Sequence, residues 1–579
     1  MNSRNKENFL SILCILVMVL VFGIPYYQKG FVQGGDGSFH MARIASLVAS
    51  IKTGVFPPKI RPILMKSYGY AVGIFYPDFF LYFPAAIKAL FHLDVFMAWK
   101  IYFFIFLFVT GIVNWKCITK LTDNRFLGIF GALIYIGANA WLWDFSFCGG
   151  RVGTIHSMMF IMLTIIGLIL SLRDDKKGYL IYGVGLISTL LSHHLDFTML
   201  MLFIFVYIIL SFDVVIKNYK ILLRIIGVSF IDLFASTAYW LPAMEQAADQ
   251  KMKALYDNIY EAKDNIFLFS RFYKDLPMLP YTIMYLLSVV LFIGVCVYKK
   301  KVSKDAVKMN IMLIFFVWFT TSHFIWEGII GEALSFFQYT YRIMAINEAL
   351  FVLAIIFNLQ HIYNCMQDKF VNIKSPYYVG LAVSMVIALA SYPVLSDMFT
   401  RYLSITHIDE HELLYDRYNG AAGQEWLPVE TQSFALTSPE TAKADDGSGA
   451  DGVKYDDGKW FDVWLLMDKE YYDMPYVYYK GYHAYLLGDD NEVIEELKVG
   501  KAEEDNGLLR VFIPKDHGEI GHVMVTYRKI AIQKISYVIS FITVISLMVC
   551  FVLEKRRLKG SLREKLLDLY SNSRKNLAS

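Results

Sequence analysis

Charge is scarce in this chain. Only 18% of its 579 residues are Asp, Glu, Lys or Arg, while 56% are hydrophobic and the mean hydropathy is +0.43. A soluble multidomain protein could not bury that much apolar surface, so the composition indicates a polytopic membrane protein. The formal net charge is only +3 and is scattered, which gives no basis for a nucleic-acid partner. Cysteine is scarce too. The six cysteines fall at 14, 117, 148, 296, 365 and 550, so the polar segment from 398 to 531 has no disulfide framework. CxxC metal chemistry and a catalytic cysteine have no supporting pattern. No internal repeat is visible, and the basic start "MNSRNKEN" leads into Phe9–Tyr27 without the small-residue cleavage site of a removed signal peptide, so that stretch reads as a retained span.

Apolar runs long enough to cross ~30 Å of hydrocarbon are abundant. Their cores lie at 9–27, 96–114, 126–143, 153–171, 178–192, 196–212, 221–241, 280–298, 309–326, 343–362, 376–396 and 532–553, which predicts twelve spans. The stretch 78–93, "DFFLYFPAAIKALFHL", is a thirteenth candidate, but it is short and holds Pro84 and Lys88. The loops "KCITKLTDNR", "RDDKKG", "DVVIKNYK", "YKKKVSKDAVK" and "NCMQDKFVNIK" and the tail "EKRRLKGSLREK" are rich in Lys and Arg. They alternate with loops that are not, which places them in the cytoplasm. That assignment holds if 78–93 enters and leaves on the outer side as an interfacial or re-entrant helix.

The expected organisation is a membrane domain over 1–397 with a first outer loop at 28–95, an outer domain at 398–531, a last span at 532–553 and a basic cytoplasmic tail at 554–579. Other outer pieces are 242–278 and 327–342. The outer domain reads as β-rich, because "KWFDVWLLM", "MPYVYYKGYHAYLLG", "LLRVFIP" and "HVMVTY" are short β-branched and aromatic runs separated by turn residues. A small sandwich is expected. Its "DDGSGADG" lacks the alternating acidic positions and distal Glu of a calcium loop, and reads as a solvated turn.

The first outer loop contains "GGDGSFHMAR". On a helix from Asp36 to Thr53, Ile44, Leu47, Val48 and Ile51 form an apolar stripe and Ser38, Ala45, Ser46, Ala49 and Lys52 the opposite face. Asp36, His40 and Arg43 fall on the apolar side, where unpaired charge is costly. One reading is structural: Asp36 caps the helix and pairs with Arg43. The other is a site, because further polar groups gather at the same membrane level: Asp144, Arg151 and His156 in "WDFSFCGGRVGTIHSMM", His193, His194 and Asp196 in "LLSHHLDF", and Arg342 in "FFQYTYRIM".

Taken together, "DGSFH", "KTGVFPPKIRP", "GYAVGIFYP", "GGR", "SHHLD" and "QYTYR" resemble the bacterial membrane family labelled 6-pyruvoyl-tetrahydropterin synthase-related. Nothing here suggests pterin chemistry. The pattern is similar to the wider GT-C class of glycosyltransferases, including the YfhO-like proteins, and "PYVYYKGYHAYL" and "LLRVFIP" look YfhO-like. The resemblance implies a GT-C-like polytopic α-helical protein of about 12–13 spans with a small β-rich extracytoplasmic domain, in the bacterial plasma membrane. It also implies a polyprenyl-phosphate sugar as donor and a cell-envelope glycan or lipid as acceptor, with membrane lipids around the chain. Many GT-C members carry two adjacent acidic residues where this chain has Gly35-Asp36-Gly37, which weakens a metal-bound DxD site; a divalent ion is neither required nor excluded.

The chemistry so implied needs one general base, because a phosphate leaves as a stabilised anion. Asp36 is expected in that role, with His40 orienting it or the acceptor. Arg342, then Arg151 and Arg43, would grip the donor phosphate through the guanidinium fork. The helices 37–53 and 78–93 would shape the acceptor entrance, and aromatic rings of the outer domain would stack on a glycan. A lipid or polysaccharide transporter or flippase would instead place ionisable residues at mid-membrane depth on broken helices, a pattern that Asp232 and Glu348 partly match. A non-catalytic envelope-assembly scaffold would need neither.

Overall fold

In the computed structural model the described residues are 3–27, 30–32, 34–256, 261–275, 278–370, 376–402, 405–406, 408–416, 424–456, 458–514, 518–550 and 552–553. The expected tail 554–579 lies outside them.

All twelve predicted apolar cores lie on helices. Among the described residues seven helices are long and apolar enough to cross a membrane, and two bent pairs bring the number to nine. The pairs are Arg125–Gly137 with Ala140–Cys148, bent by 42°, and Tyr219–Ala235 with Thr237–Asp249, bent by 68°. Three predicted cores form lesser helices. Lys176–Leu190 has 15 residues and His194–Leu210 has 17. At 1.5 Å per residue they rise only about 23 and about 26 Å, short of a ~30 Å core. Lys304–Thr321 is 18 residues but carries Lys304, Asp305 and Lys308 in its first turns.

Val152–Leu172 is buried along its whole length and forms the centre of the bundle. Lys176–Leu190 folds back against it at very short range. A Cβ on Gly167 would sit 2.2 Å from the backbone nitrogen of Tyr182, and one on Gly185 would sit 2.6 Å from that of Thr164. Small residues at both faces let two helices pack backbone to backbone where lipid supplies no hydrophobic drive. The stretch 78–93 forms a ten-residue helix, Tyr82–Phe91, too short to cross. It buries Pro84 and Ala85 and exposes Phe83, Leu90 and Phe91.

The C-terminal domain is β-rich, as its alternating sequence predicts. Its strands are β1 (Thr441–Ala444), β2 (Gly449–Tyr455), β3 (Trp460–Leu466), β4 (Tyr471–Val477), β5 (Tyr482–Leu487), β6 (Val493–Leu497), β7 (Val499–Ala502), β8 (Leu508–Phe512) and β9 (Ile520–Tyr527). They form one continuous antiparallel sheet in the order β6-β5-β9-β3-β2-β1-β4-β8-β7. Its two edge strands, β6 and β7, are separated in sequence by Lys498 alone. That short link forces the sheet to wrap until its edges meet, with Phe461, Val463, Leu509, Val511, Val523 and Val525 buried inside. The turn within "DDGSGADG" joins β1 to β2 with Gly447 at φ 82°. The rings of Tyr476, Tyr479, Tyr482 and Tyr485 are buried, so this tyrosine run builds the interior, while Tyr455 and Trp464 are exposed.

The sheet docks on the loop at 54–78 and on the helix Thr237–Asp249. Val477 donates its amide to the Tyr68 carbonyl at 2.8 Å, Gln246 donates to the Lys480 carbonyl at 2.6 Å, and Gln250 donates to that of Tyr478 at 3.0 Å.

Candidate active site

Two glycine pairs distant in sequence lock together at the end of the bundle that carries the sheet. Gly34 has φ 56° and Gly150 has φ 60°, values open to glycine at little cost. A Cβ on Gly34 would lie 2.6 Å from the Gly150 nitrogen. The contact is sealed by the Gly35 amide on the Cys148 carbonyl at 2.9 Å and the Asp36 amide on the Gly149 carbonyl at 2.8 Å. Asp36 and Arg151, the residues that follow each pair, are thereby neighbours, with Nε 4.0 Å from Oδ2.

Asp36 stands at the N-cap of the helix Gly37–Lys52, yet its side chain accepts no capping hydrogen bond. An aspartate at this position ordinarily accepts from the second or third helical amide. The helix therefore leaves this carboxylate unused. Burial raises its proton affinity, and the charges of Arg151, Arg342 and His193 oppose that rise.

The other half of the structural reading, an Asp36–Arg43 pair, is overturned. Arg43 is buried and donates to Asp78 Oδ1 and the Pro77 carbonyl, each at 2.8 Å, with its guanidinium 4.1 Å from the Tyr76 ring centre. Asp78 takes Arg61, also buried, through its other oxygen. The helix wheel places Arg43 inside for this reason: it ties Gly37–Lys52 to the "FYPD" turn. Ala45, Ser46 and Ser50 are buried as well, so both faces of this helix are covered.

Arg43 Nη1 also approaches His40 Nδ1 at 3.2 Å. A guanidinium only donates, so Nδ1 accepts and the imidazole proton sits on Nε2. Burial and the Arg43 charge hold His40 well below its usual range, and it is neutral.

A cavity of about 260 Å³ gathers Asp36, His40, Arg151, His193, His194 and Arg342. Arg151 donates from Nη2 to the Tyr341 hydroxyl at 2.5 Å and lies 4.6 Å from that ring centre, while its buried Nη1 has no partner among the described residues. Arg342 donates to Gln338 Oε1 at 2.9 Å. His193 Nδ1 lies 3.1 Å from Asp196 Oδ2, and Asp196 also accepts from Ser157. His194 stacks on His193 at 5.6 Å, and its buried Nδ1 is unpartnered among the described residues. Buried polar groups without partners are uncommon in folded proteins, and two on the lining of one cavity point to a polar ligand.

Arg43, Asp144, His156 and Asp196 are outside this lining. His156 is a core residue, its Nε2 2.9 Å from the Tyr102 hydroxyl amid Phe80 and Phe106. Asp144 accepts the Gly149 amide on its carbonyl at 2.7 Å and shapes the "CGGR" turn. Asp196 lies behind His193. Asp232 and Glu348 are also elsewhere and, among the described residues, pair with no arginine or histidine. Asp232 Oδ2 and both Glu348 carboxyl oxygens are buried without hydrogen-bond partners among the described residues.

Two lining aromatics escaped sequence reasoning. Tyr76 lies within the "GIFYP" run but carried no chemical signal of its own. Trp426 comes from the segment before the sheet, stacks on Phe75 at 5.0 Å and 8°, and meets His194 at 5.9 Å. Its segment is held over the cavity by the Ala254 amide on the Glu425 carbonyl at 2.8 Å and the Lys253 amide on that of Leu427 at 3.0 Å. Among the described residues no group of three or more His, Cys, Asp or Glu side chains is placed to hold a metal ion.

No family model matches the sequence, and no curated protein matches it. The fold is similar to that of the Archaeoglobus fulgidus oligosaccharyltransferase in the apo form, with a TM-score of 0.39 and 10% identity over 69% of this chain and 56% of that one. It is also similar to the archaeal oligosaccharyltransferase AglB from Archaeoglobus fulgidus in complex with an inhibitory peptide and a dolichol-phosphate, with a TM-score of 0.37 and 12% identity over 71% of this chain and 58% of that one. This chain thus spans a little over half the length of the structures it matches.

Proposed function

We propose that this protein is a GT-C-type glycosyltransferase of the bacterial plasma membrane. It transfers a sugar from a polyprenyl-phosphate donor to a cell-envelope glycan or lipid on the outer face, where the β-rich domain lies. The observation that carries this reading is the Asp36 carboxylate, unused by its helix and placed 4.0 Å from Arg151 in a cavity that also holds Arg342. The motifs "DGSFH", "GGR", "SHHLD" and "QYTYR" all contribute to that cavity, which supports the resemblance to the 6-pyruvoyl-tetrahydropterin synthase-related and YfhO-like proteins.

In this reading the acceptor hydroxyl attacks the anomeric carbon, the bond from that carbon to the phosphate oxygen breaks, and the hydroxyl proton passes to Asp36. Its raised proton affinity suits a base that must take a proton near neutral pH. Arg151 and Arg342 neutralise the departing polyprenyl phosphate, and the partnerless Nη1 of Arg151 is a donor available for it. His40, neutral and pinned by Arg43, presents its Nε2 proton as a donor that positions the acceptor. The test is transfer by membranes supplied with candidate polyprenyl-phosphate sugars, with protein level followed in parallel. A stable Asp36→Asn protein with undiminished transfer would defeat the proposal.

A further inference from the structure

A second polar cavity, of about 380 Å³, lies where the first outer loop, the sheet and the start of the last membrane helix meet. Five cations line it, Lys59, Lys459, Arg528, Lys529 and Lys534, against one carboxylate, Asp456. None of the five forms an ion pair among the described residues. Three are fixed by backbone carbonyls: Lys59 donates to Ala238 at 3.2 Å, Lys459 to Thr53 at 2.9 Å, and Lys529 to Phe56. Each such contact uses one of three ammonium protons and neutralises no charge.

Holding these charges together without a counter-charge is unfavourable. Burial, reinforced by Arg61 and Lys529 and opposed by Asp78, pushes Lys59 down to about 8. Burial and the neighbouring Lys534 also lower Lys529. A fold that tolerates such repulsion is compensated when an anion sits among the cations.

The level of the cavity narrows the anion. Lys534 is in the first turn of Ala531–Cys550, a candidate span. Phe56, which also lines the cavity, is 64% exposed and packs edge-on to Tyr82 at 5.8 Å, beside the apolar face of Tyr82–Phe91. Exposed aromatics and lysines at the end of a span mark the headgroup layer of a bilayer. The anionic group at that depth is a phosphate.

We infer that this cavity is a phosphate-binding site, separate from the Asp36 cavity, which holds the phosphodiester of a membrane lipid and so fastens the β-rich domain to the bilayer. The inference is independent of the proposed transferase activity. Lys459 from the sheet, Lys529 from the connection and Lys59 from the first loop would share one phosphate, closing three separate segments around it.

The test uses the full chain, purified in an uncharged detergent and stripped of lipid, with thermal unfolding followed as ligand is added. The probes are dihexanoylphosphatidylglycerol, below its micellar concentration, and inorganic phosphate. Saturable stabilisation by either probe supports the site. Stabilisation by the lipid alone assigns the headgroup as source, and equal stabilisation by both assigns the phosphate group itself. Lys459→Gln with Lys529→Gln should weaken apparent affinity about tenfold or more, as expected for losing charge-assisted hydrogen bonds. Both lysines also brace backbone carbonyls, so Lys534→Gln, which removes an exposed cation with no such bond, serves as the second variant and should weaken binding several-fold. Absence of saturable stabilisation in the wild-type protein, or the same affinity in wild type and Lys534→Gln together with the double variant, would overturn the inference.

Discussion

Asp36 Oδ2 lies 4.0 Å from Nε of Arg151, and the two are brought together by paired glycines and not by any shared element. Anchoring a carboxylate beside a guanidinium through backbone contacts leaves both side chains available to a ligand.

Asp36→Asn should lower transfer by ~10²- to 10⁴-fold, the range for loss of a general base. The variant should insert, and at about pH 4 or below it should unfold like the wild type, because no capping hydrogen bond is lost. Activity in membranes and thermal unfolding of the purified protein check the two halves separately.

The pH dependence follows from the same carboxylate. Its folded proton affinity is raised, chiefly by burial. The acid limb of kcat/KM should therefore fall above the ordinary aspartate value of ~3.9. For stability, a raised folded pKa means a contribution that is fully present below the unfolded pKa and lost as pH rises through the folded one. Wild type should thus lose stability relative to Asp36→Asn as pH rises above the ordinary aspartate value of ~3.9. A difference that moves the other way in paired thermal melts would contradict the burial argument.

Arg151→Lys keeps the charge but removes the fork that reaches the Tyr341 hydroxyl and the partnerless Nη1. Use of the donor should weaken by about tenfold or more, read as a raised KM for the polyprenyl-phosphate sugar. Arg342→Lys should act in the same direction. Unchanged donor dependence in both variants would remove the arginines from the site.

Asp78→Asn should be the most destabilising of these changes. It strips Arg43 and Arg61, both buried, of their shared counter-charge. Breaking a buried ion pair from one side costs about 3–5 kcal/mol. The expected result is a large fall in thermal stability, with loss of activity following loss of folded protein.

Gly34→Ala should separate position from chemistry. The added methyl meets the Gly150 backbone at 2.6 Å in a left-handed conformation, so the loop must shift. Asp36 would move away from Arg151 with every reactive group retained. A stable variant that loses at least tenfold in transfer would show that the glycine clamp sets the geometry; full activity would show that the loop absorbs the methyl without consequence.

Much of this protein was legible one residue at a time. Low charge and repeated apolar runs determine a helical membrane chain, because hydrocarbon forces every backbone group into internal hydrogen bonds. Alternation between 441 and 527 determines strands, because side chains on a pleated sheet point to opposite faces. The unusual position of Asp36, His40 and Arg43 on an apolar stripe was visible as well. What the wheel could not decide was their partners. Arg43 serves Asp78, whereas Asp36 faces Arg151, since pairing depends on how the loop at 54–78 and the turn at 144–151 fold back onto the helix. The roof from Trp426 and the basic cavity at Lys459 and Lys529 exist only because the sheet docks on the loop at 54–78. Periodicity is a local property of the chain and can be read along it. Convergence of charges from distant segments is set by packing, which no local pattern records.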